Sequence, residues 1–169
     1  RYGFIFGTGA IHGFIAEYSR RETRSAKWAA QVLARAIASS MIGGKTIQRV
    51  AAPWHGGVRF PDGSAFPDGR YLTVGASTCR EIGLGFKPFH RNGERTGHFH
   101  MLGIHASPSS FIMGMPRMWR GKTLGAHRSY DALVKQAVLE PSGEKVAYTL
   151  DGDLYEHDGP LSLSCGPQL

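Results

Sequence analysis

The tetrapeptide Phe-Pro-Asp-Gly occurs twice within ten residues, at 60–63 and again at 66–69. Proline pre-sets φ, aspartate bonds to its own turn, and glycine takes the left-handed position, so each copy reads as a tight reversal. A chain that reverses twice in so short a span and then runs on into the alternating "RYLTVGAS", residues 70–77, is set up for antiparallel pairing. The copies lie too close together for a solenoid repeat and read as consecutive turns of one sheet. At least six alternating runs lie along the chain. They predict a mainly β fold with a few helices, an antiparallel β-sandwich or curved barrel with one flanking helix near residues 25–42.

That helix is the clearest one. Across "SAKWAAQVLARAIASSMIGG", Ala29, Leu33, Ala36, Ile37 and Met41 share one face, while Lys27, Gln31, Arg35 and Ser39 share the other. Ser25 can cap its start and the Gly43-Gly44 pair can end it. Ile11 to Tyr18 reads as a helical turn or two. In "SPSSFIMGMPRMWRGK", Phe111, Met115, Met118 and Trp119 recur at helical spacing, with Pro116 either starting a new turn or kinking the segment. Such a stripe has two readings: core, or the adaptable wall of a pocket for a flexible apolar ligand.

With 169 residues, 41% hydrophobic, the sequence suffices for one core, so residues 1–169 are expected to form a single β-rich domain. It opens on "RYGFIFGTG" with neither an initiator Met nor a basic leader, as an excerpt from a longer protein would. No window reaches 18 consecutive apolar residues. Cys79 and Cys165 stand far apart with no CxxC pair, which predicts a reducing, cytoplasmic setting. A net charge of +7 points to an anionic partner. The one basic cluster, Arg20, Arg21, Arg24 and Lys27, is either a solvated helix entrance or a phosphate or headgroup contact. Zinc-finger and RNA-recognition signatures are absent, so nucleic acid is not an expected partner.

Three stretches carry candidate chemistry. "GTGAIHG" has the spacing G-x-G-x-x-x-G and no acidic residue about 20 positions on, which argues against a dinucleotide site. "GHFH" puts His98 and His100 on one strand face, where two imidazoles can grip zinc, but His105 falls on the opposite parity and no third ligand is evident; ordinary sheet histidines are the better reading. "YTLDGDLYEHDGPLSLSC" places four carboxylates in eight residues between two alternating runs. Val146, Tyr148 and Leu150 point one way there. If the strand continues, Asp151 and Asp153 point the other way, about 6–7 Å apart, a spacing that suits a shared cation or a flanked phosphate. Asp-Gly is equally the favoured hairpin turn, which leaves these side chains merely wet.

The order of these segments resembles the C-terminal half of the diacylglycerol kinase and sphingosine kinase superfamily of lipid kinases. The matching positions are Gly83, Gly85 and Pro88, then Pro116 and Gly121, then Asp151-Gly152-Asp153, with "GFIFGTGAIHGFIAEY" similar to the segment that opens that domain. The departures are specific. Asp153 stands where the family has Glu, and "GERTGHFH" retains Glu94 alone of the carboxylates that hold a structural cation in bacterial members, so no metal is carried over. The family's early Asn is missing from "FGTGAIHG", and its Gly-Gly-Asp-Gly-Thr nucleotide motif does not occur in the chain.

The resemblance implies the lipid-substrate domain of an ATP-dependent, magnesium-requiring kinase whose N-terminal nucleotide-binding domain lies outside this chain. It implies Asp151 and Asp153 as catalytic carboxylates of an interdomain cleft, a lipid with a free hydroxyl as substrate, and a peripheral place at a membrane surface. By the pocket reading above, Phe111, Met115, Met118 and Trp119 would hold the lipid. The isolated chain is expected to be inactive. A non-catalytic lipid-binding or assembly module with the same fold is the alternative.

Overall fold

Alternation builds two sheets. In the computed structural model, which describes residues 1–19, 31, 51–82, 85–125 and 127–166, the strands are β1 (Ile5–Thr8), β2 (Trp54–Arg59), β3 (Ala65–Tyr71), β4 (Thr73–Ser77), β5 (Phe99–Ile104), β6 (Ser129–Val134), β7 (Gln136–Pro141), β8 (Lys145–Leu150), β9 (Asp153–Asp158) and β10 (Leu161–Ser164). They form a six-stranded sheet in the order β6-β5-β4-β1-β8-β9 and a four-stranded sheet in the order β10-β7-β2-β3. Every pairing is antiparallel. Helix α1 (Ala10–Tyr18) follows β1, and α2 (Pro108–Trp119) follows β5. The architecture is the expected sandwich with flanking helices. The helix expected near residues 25–42 lies outside the described residues save for Gln31, as do Arg20, Arg21, Arg24, Lys27 and Gly83.

The residues that alternate in sequence meet in the gap between the sheets. Val146, Tyr148, Val74, Met101 and Phe6 from the larger sheet pack against Val58, Leu139, Phe66 and Tyr71 from the smaller. Each fully buried Val, Leu or Met in this layer contributes about 1.5–3 kcal/mol relative to leaving it exposed. Leu161, Leu163 and Cys165 close one edge while Ser162 and Ser164 stay outside. A second cluster lies on the opposite face of the larger sheet, where Leu72, Phe89, Leu102 and Ile104 meet Met118 of α2, with Phe14 of α1 packed beside them.

Two local readings are corrected. The first Phe-Pro-Asp-Gly does turn the chain from β2 to β3, with Phe60 N–H bonded to the Ser64 carbonyl at 3.0 Å. The second lies inside β3. Gly56 pairs with Gly69 and Val58 with Phe66, so Gly57 stands opposite both Pro67 and Asp68, a β-bulge. Strand β3 is the sheet edge, where a proline lacking its N–H breaks no ladder bond. "RYLTVGAS" is also not one strand. The chain changes sheets at Leu72, whose N–H bonds the Ile104 carbonyl at 2.7 Å and whose carbonyl accepts from Ala10 at 2.8 Å.

Helix α2 begins with Ser107 accepting the Ser110 N–H at 3.2 Å and Pro108 in the first turn. Pro116 sits inside it. An interior proline removes one helical hydrogen bond, and here burial of Met115 and Met118 on the inner face offsets that loss. Gly121, at φ 66°, ends the helix: its N–H bonds Met118 O at 3.0 Å and Lys122 N–H bonds Arg117 O at 3.0 Å, the two bonds of a Schellman motif. No helix among the described residues is long and apolar enough to cross a membrane.

Candidate functional site

The carboxylate-rich stretch forms the end of the β8–β9 hairpin. Asp151 and Gly152 have φ of 53° and 94°, and Leu150 pairs directly with Asp153, so two residues with left-handed backbone reverse the chain. The extended path that would align Asp151 and Asp153 on one face is therefore not adopted. Asp151 Oδ1 accepts N–H bonds from Ile5 at 2.8 Å and Phe4 at 3.0 Å, Oδ2 accepts a second contact from Phe4 at 3.0 Å, and the Asp151 N–H returns to the Ile5 carbonyl at 2.9 Å. The turn is thereby fastened to the entry of β1. Asp153 opens β9, exposed, with the Tyr155 hydroxyl 3.5 Å from its Oδ2. Tyr155 continues an aromatic row with Tyr148 and Phe6, and the Arg1 guanidinium lies 4.0 Å over its ring. Glu156 and Asp158 belong to β9 rather than to a turn, and Lys145 Nζ lies 3.9 Å and 3.7 Å from them.

Along β8, at the end away from the Asp151–Gly152 turn, lies an open cavity of about 820 Å³. Helix α1 supplies His12, Ala16 and Glu17, the entry to β2 supplies Pro53, Trp54 and His55, and Lys145 and Ala147 of β8 complete the wall. The size falls within the range of small-molecule sites. Ala16, Pro53, Trp54 and Ala147 make an apolar surface, while His12, His55, Glu17 and Lys145 bring the polar groups. Burial pushes the His12 imidazole below its usual pKa, against a weaker upward pull from Glu156, so His12 favours the neutral form. The open surface thus sets alanine and indole beside imidazoles and an ammonium.

The residues expected to hold a lipid lie on α2. Met115 and Met118 are buried under α2, Phe111 packs half-buried beside them, and Trp119, 38% exposed, meets Phe86 edge-on with ring centroids 5.5 Å apart. None of the four lines the cavity. "GTGAIHG" makes the β1–α1 corner. Gly9 has φ 58°, and the first N–H of α1 is already donated to the Leu72 carbonyl. His98 Nδ1 lies 3.0 Å from the Thr96 carbonyl, while His100 is fully buried with neither ring nitrogen hydrogen-bonded. His105, on the other face as its parity requires, stacks on Tyr130. Glu94 pairs with Arg91 at 3.2 Å.

Both Asp151 oxygens already accept backbone N–H bonds, and among the described residues no group of three or more His, Cys, Asp or Glu is arranged to hold a metal ion.

No protein-family model matches the sequence, and no curated protein matches it. The fold does have solved counterparts. Three structures from Bacillus anthracis str. Sterne, all assigned as diacylglycerol kinases, align with 96–97% of this chain. Their TM-scores are 0.60, 0.55 and 0.51, at 10%, 13% and 11% sequence identity. The chain spans about half the length of each, 50%, 50% and 47%. The fold is thus distantly related to that of diacylglycerol-kinase structures.

Proposed function

We propose that this chain is the lipid-binding half of a diacylglycerol-kinase-like phosphotransferase acting on a lipid hydroxyl. The observation that carries this reading is the likeness of nearly the whole chain to half of each kinase structure, and the adjoining cavity supports it. In this reading the acyl chains lie against Ala16, Trp54 and Ala147, and the polar head meets His12, His55 and Lys145. To Asp153, exposed at the turn end of the hairpin and outside the cavity lining, we assign the role of accepting a hydroxyl proton or facing the phosphate donor. Asp151 is a positioning residue that fixes the hairpin on which Asp153 stands. Nucleotide and metal binding fall to residues beyond those described.

One observation favours a second reading, a non-catalytic lipid-binding or assembly module: Asp151 spends its carboxylate on Phe4 and Ile5. Both readings require the cavity to take lipid. Titration of the chain with diacylglycerol carrying brominated acyl chains, in mixed micelles, tests this through quenching of tryptophan fluorescence. Saturable quenching is expected, lost in Trp54→Phe and weakened about tenfold or more by Ala147→Phe, which fills the chamber. Quenching indifferent to both substitutions would contradict a lipid site in this cavity.

A further inference from the structure

Each sheet ends in two edge strands, and among the described residues three of these edges carry a feature that deters a further strand. β3 contains Pro67 and the bulge opposite Gly57. β9 carries Asp153, Glu156 and Asp158, charges that repel a like edge. β10 is four residues long. The remaining edge, β6, has none of these features. Its Ser-Tyr-Asp-Ala-Leu-Val run holds no Pro, Lys or Glu, its register with β5 is unbroken from Phe99↔Val134 to Ile104↔Ser129, and Ala132, Leu133 and Val134 are only half-buried.

The ladder fixes which groups of β6 point outward. His105 N–H bonds the Arg128 carbonyl at 3.1 Å, one step beyond the pair Ile104 and Ser129. Antiparallel ladders alternate, so the main-chain groups of Tyr130, Ala132 and Val134 face β5, and those of Ser129, Asp131 and Leu133 face away from it. The Ser129 N–H is taken by the Gly125 carbonyl at 3.2 Å. The N–H and C=O of Asp131 and Leu133 have no partner among the described residues.

We propose that β6 is a self-association surface, through which two copies of this chain pair antiparallel and join their six-stranded sheets into one. With a two-fold axis at Ala132, Asp131 of each copy faces Leu133 of the other, and each such pair exchanges both of its main-chain hydrogen bonds. Ala132 then meets Ala132, Tyr130 meets Val134 and Ser129 meets Lys135. No like charges stand directly opposite. Lys135 of one copy falls diagonal to Asp131 of the other, and each Asp131 carboxylate is already paired with Arg91 of its own chain. A ladder this short buries less than a standard interface of about 1,200–2,000 Å², so the dimer is expected to dissociate in the micromolar range. The proposal stands on the sheet edge and is independent of catalysis and of the cavity.

Sedimentation velocity of the intact chain in reducing buffer, from low to several hundred micromolar, tests it, and a monomer–dimer equilibrium is expected. Leu133→Glu sets a carboxylate opposite Asp131 of the other copy and, counted twice by the symmetry, should weaken the dimer about tenfold. Leu133→Lys sets an ammonium there and should leave it as tight or tighter. Crosslinking reads the register. In a Cys79→Ser, Cys165→Ser background, Ala132→Cys should form an intermolecular disulfide on mild oxidation, because a pair without main-chain bonds holds its Cα atoms about 4.5 Å apart. Lys135→Cys, opposite Ser129, should not. A chain that stays monomeric throughout would overturn the proposal, as would a dimer indifferent to Leu133→Glu, or one that crosslinks as readily at position 135 as at 132. The crosslink needs no charged substitution, so it decides the question even where a Leu133 variant loses its fold.

Discussion

Ile5 and Asp151 are held by a reciprocal pair of hydrogen bonds: the Ile5 N–H to Asp151 Oδ1 at 2.8 Å and the Asp151 N–H to the Ile5 carbonyl at 2.9 Å. The pair joins the start of the chain to its last large hairpin, 146 positions apart. Asp151→Ala removes the acceptor for Phe4 and Ile5 and places alanine at φ 53°, so a loss of about 1–3 kcal/mol is expected. Asp151→Asn keeps one carbonyl acceptor and a residue at ease in left-handed backbone, and should lose less than half as much. Urea denaturation of the two variants checks this ordering; equal losses would mean the side-chain bonds carry little.

Gly9 is confined by the backbone itself. At φ 58° and ψ −125°, a Cβ at this position would run into the Leu72 carbonyl, the same group that accepts the Ala10 N–H. Moving the corner to admit it would break that bond. Gly9→Ala is expected to lower stability by about 2–4 kcal/mol, read as a drop in melting temperature with no gain from the helix propensity of alanine.

The outer face of β5 and β6 gives an acid-sensitive element. The His100 imidazole, its Nε2 3.9 Å from Asp131 Oδ1, and then the Arg91 guanidinium bonded to that oxygen hold the Asp131 carboxyl at about 2 despite the burial that raises it. With the folded value below the ordinary 3.8, this carboxylate adds stability above about pH 4 and loses that contribution as pH falls from there through about 2. Asp131→Asn should therefore be less stable than the parent at neutral pH, with the difference shrinking across that window. Thermal melts from pH 7 to pH 2 check it; a difference that persists undiminished at pH 2 would assign the effect to packing.

How far this was legible in the sequence depends on the range of the interaction. Val146, Tyr148 and Leu150 show their inward face by parity, because a strand side chain alternates whatever its partner. Pro67 was misleading: its turn chemistry is real, yet an edge strand with a bulge absorbs it. At Asp151 the Asp-Gly pair carried the correct local signal for a two-residue turn, and a strand continuing through it was the wrong extension. Met115 and Met118 show a buried stripe, but nothing local separates core from pocket. The cavity was illegible, since His12, Trp54 and Lys145 meet only through α1 resting near β8 and the approach of the second sheet. That neither ring nitrogen of the buried His100 is hydrogen-bonded likewise follows from what surrounds the strand, not from the strand itself.

Nucleotide affinity of the chain alone should be weak. The first N–H of α1 is spent on Leu72, and Asp151 is spent on Phe4 and Ile5, so two groups that often meet phosphate or its metal are engaged. Calorimetric titration of the chain with magnesium and ATP is expected to give no micromolar isotherm. A clear one would place the nucleotide site within this domain.

The central claim concerns phosphoryl transfer to lipid, and it is tested most directly with the protein translated from the whole reading frame that encodes this chain. That protein is supplied with ATP labelled at the γ-phosphate and a panel of hydroxyl-bearing lipids in mixed micelles, and label in the lipid phase is measured for the parent, Asp153→Asn and Glu156→Gln. Label is expected in a diacylglycerol-type lipid, reduced about 10²-fold or more by Asp153→Asn with the fold intact, and nearly unchanged by Glu156→Gln. No label in any lipid, from a folded protein whose cavity still binds diacylglycerol, would contradict the kinase reading and leave the non-catalytic lipid-binding module in its place.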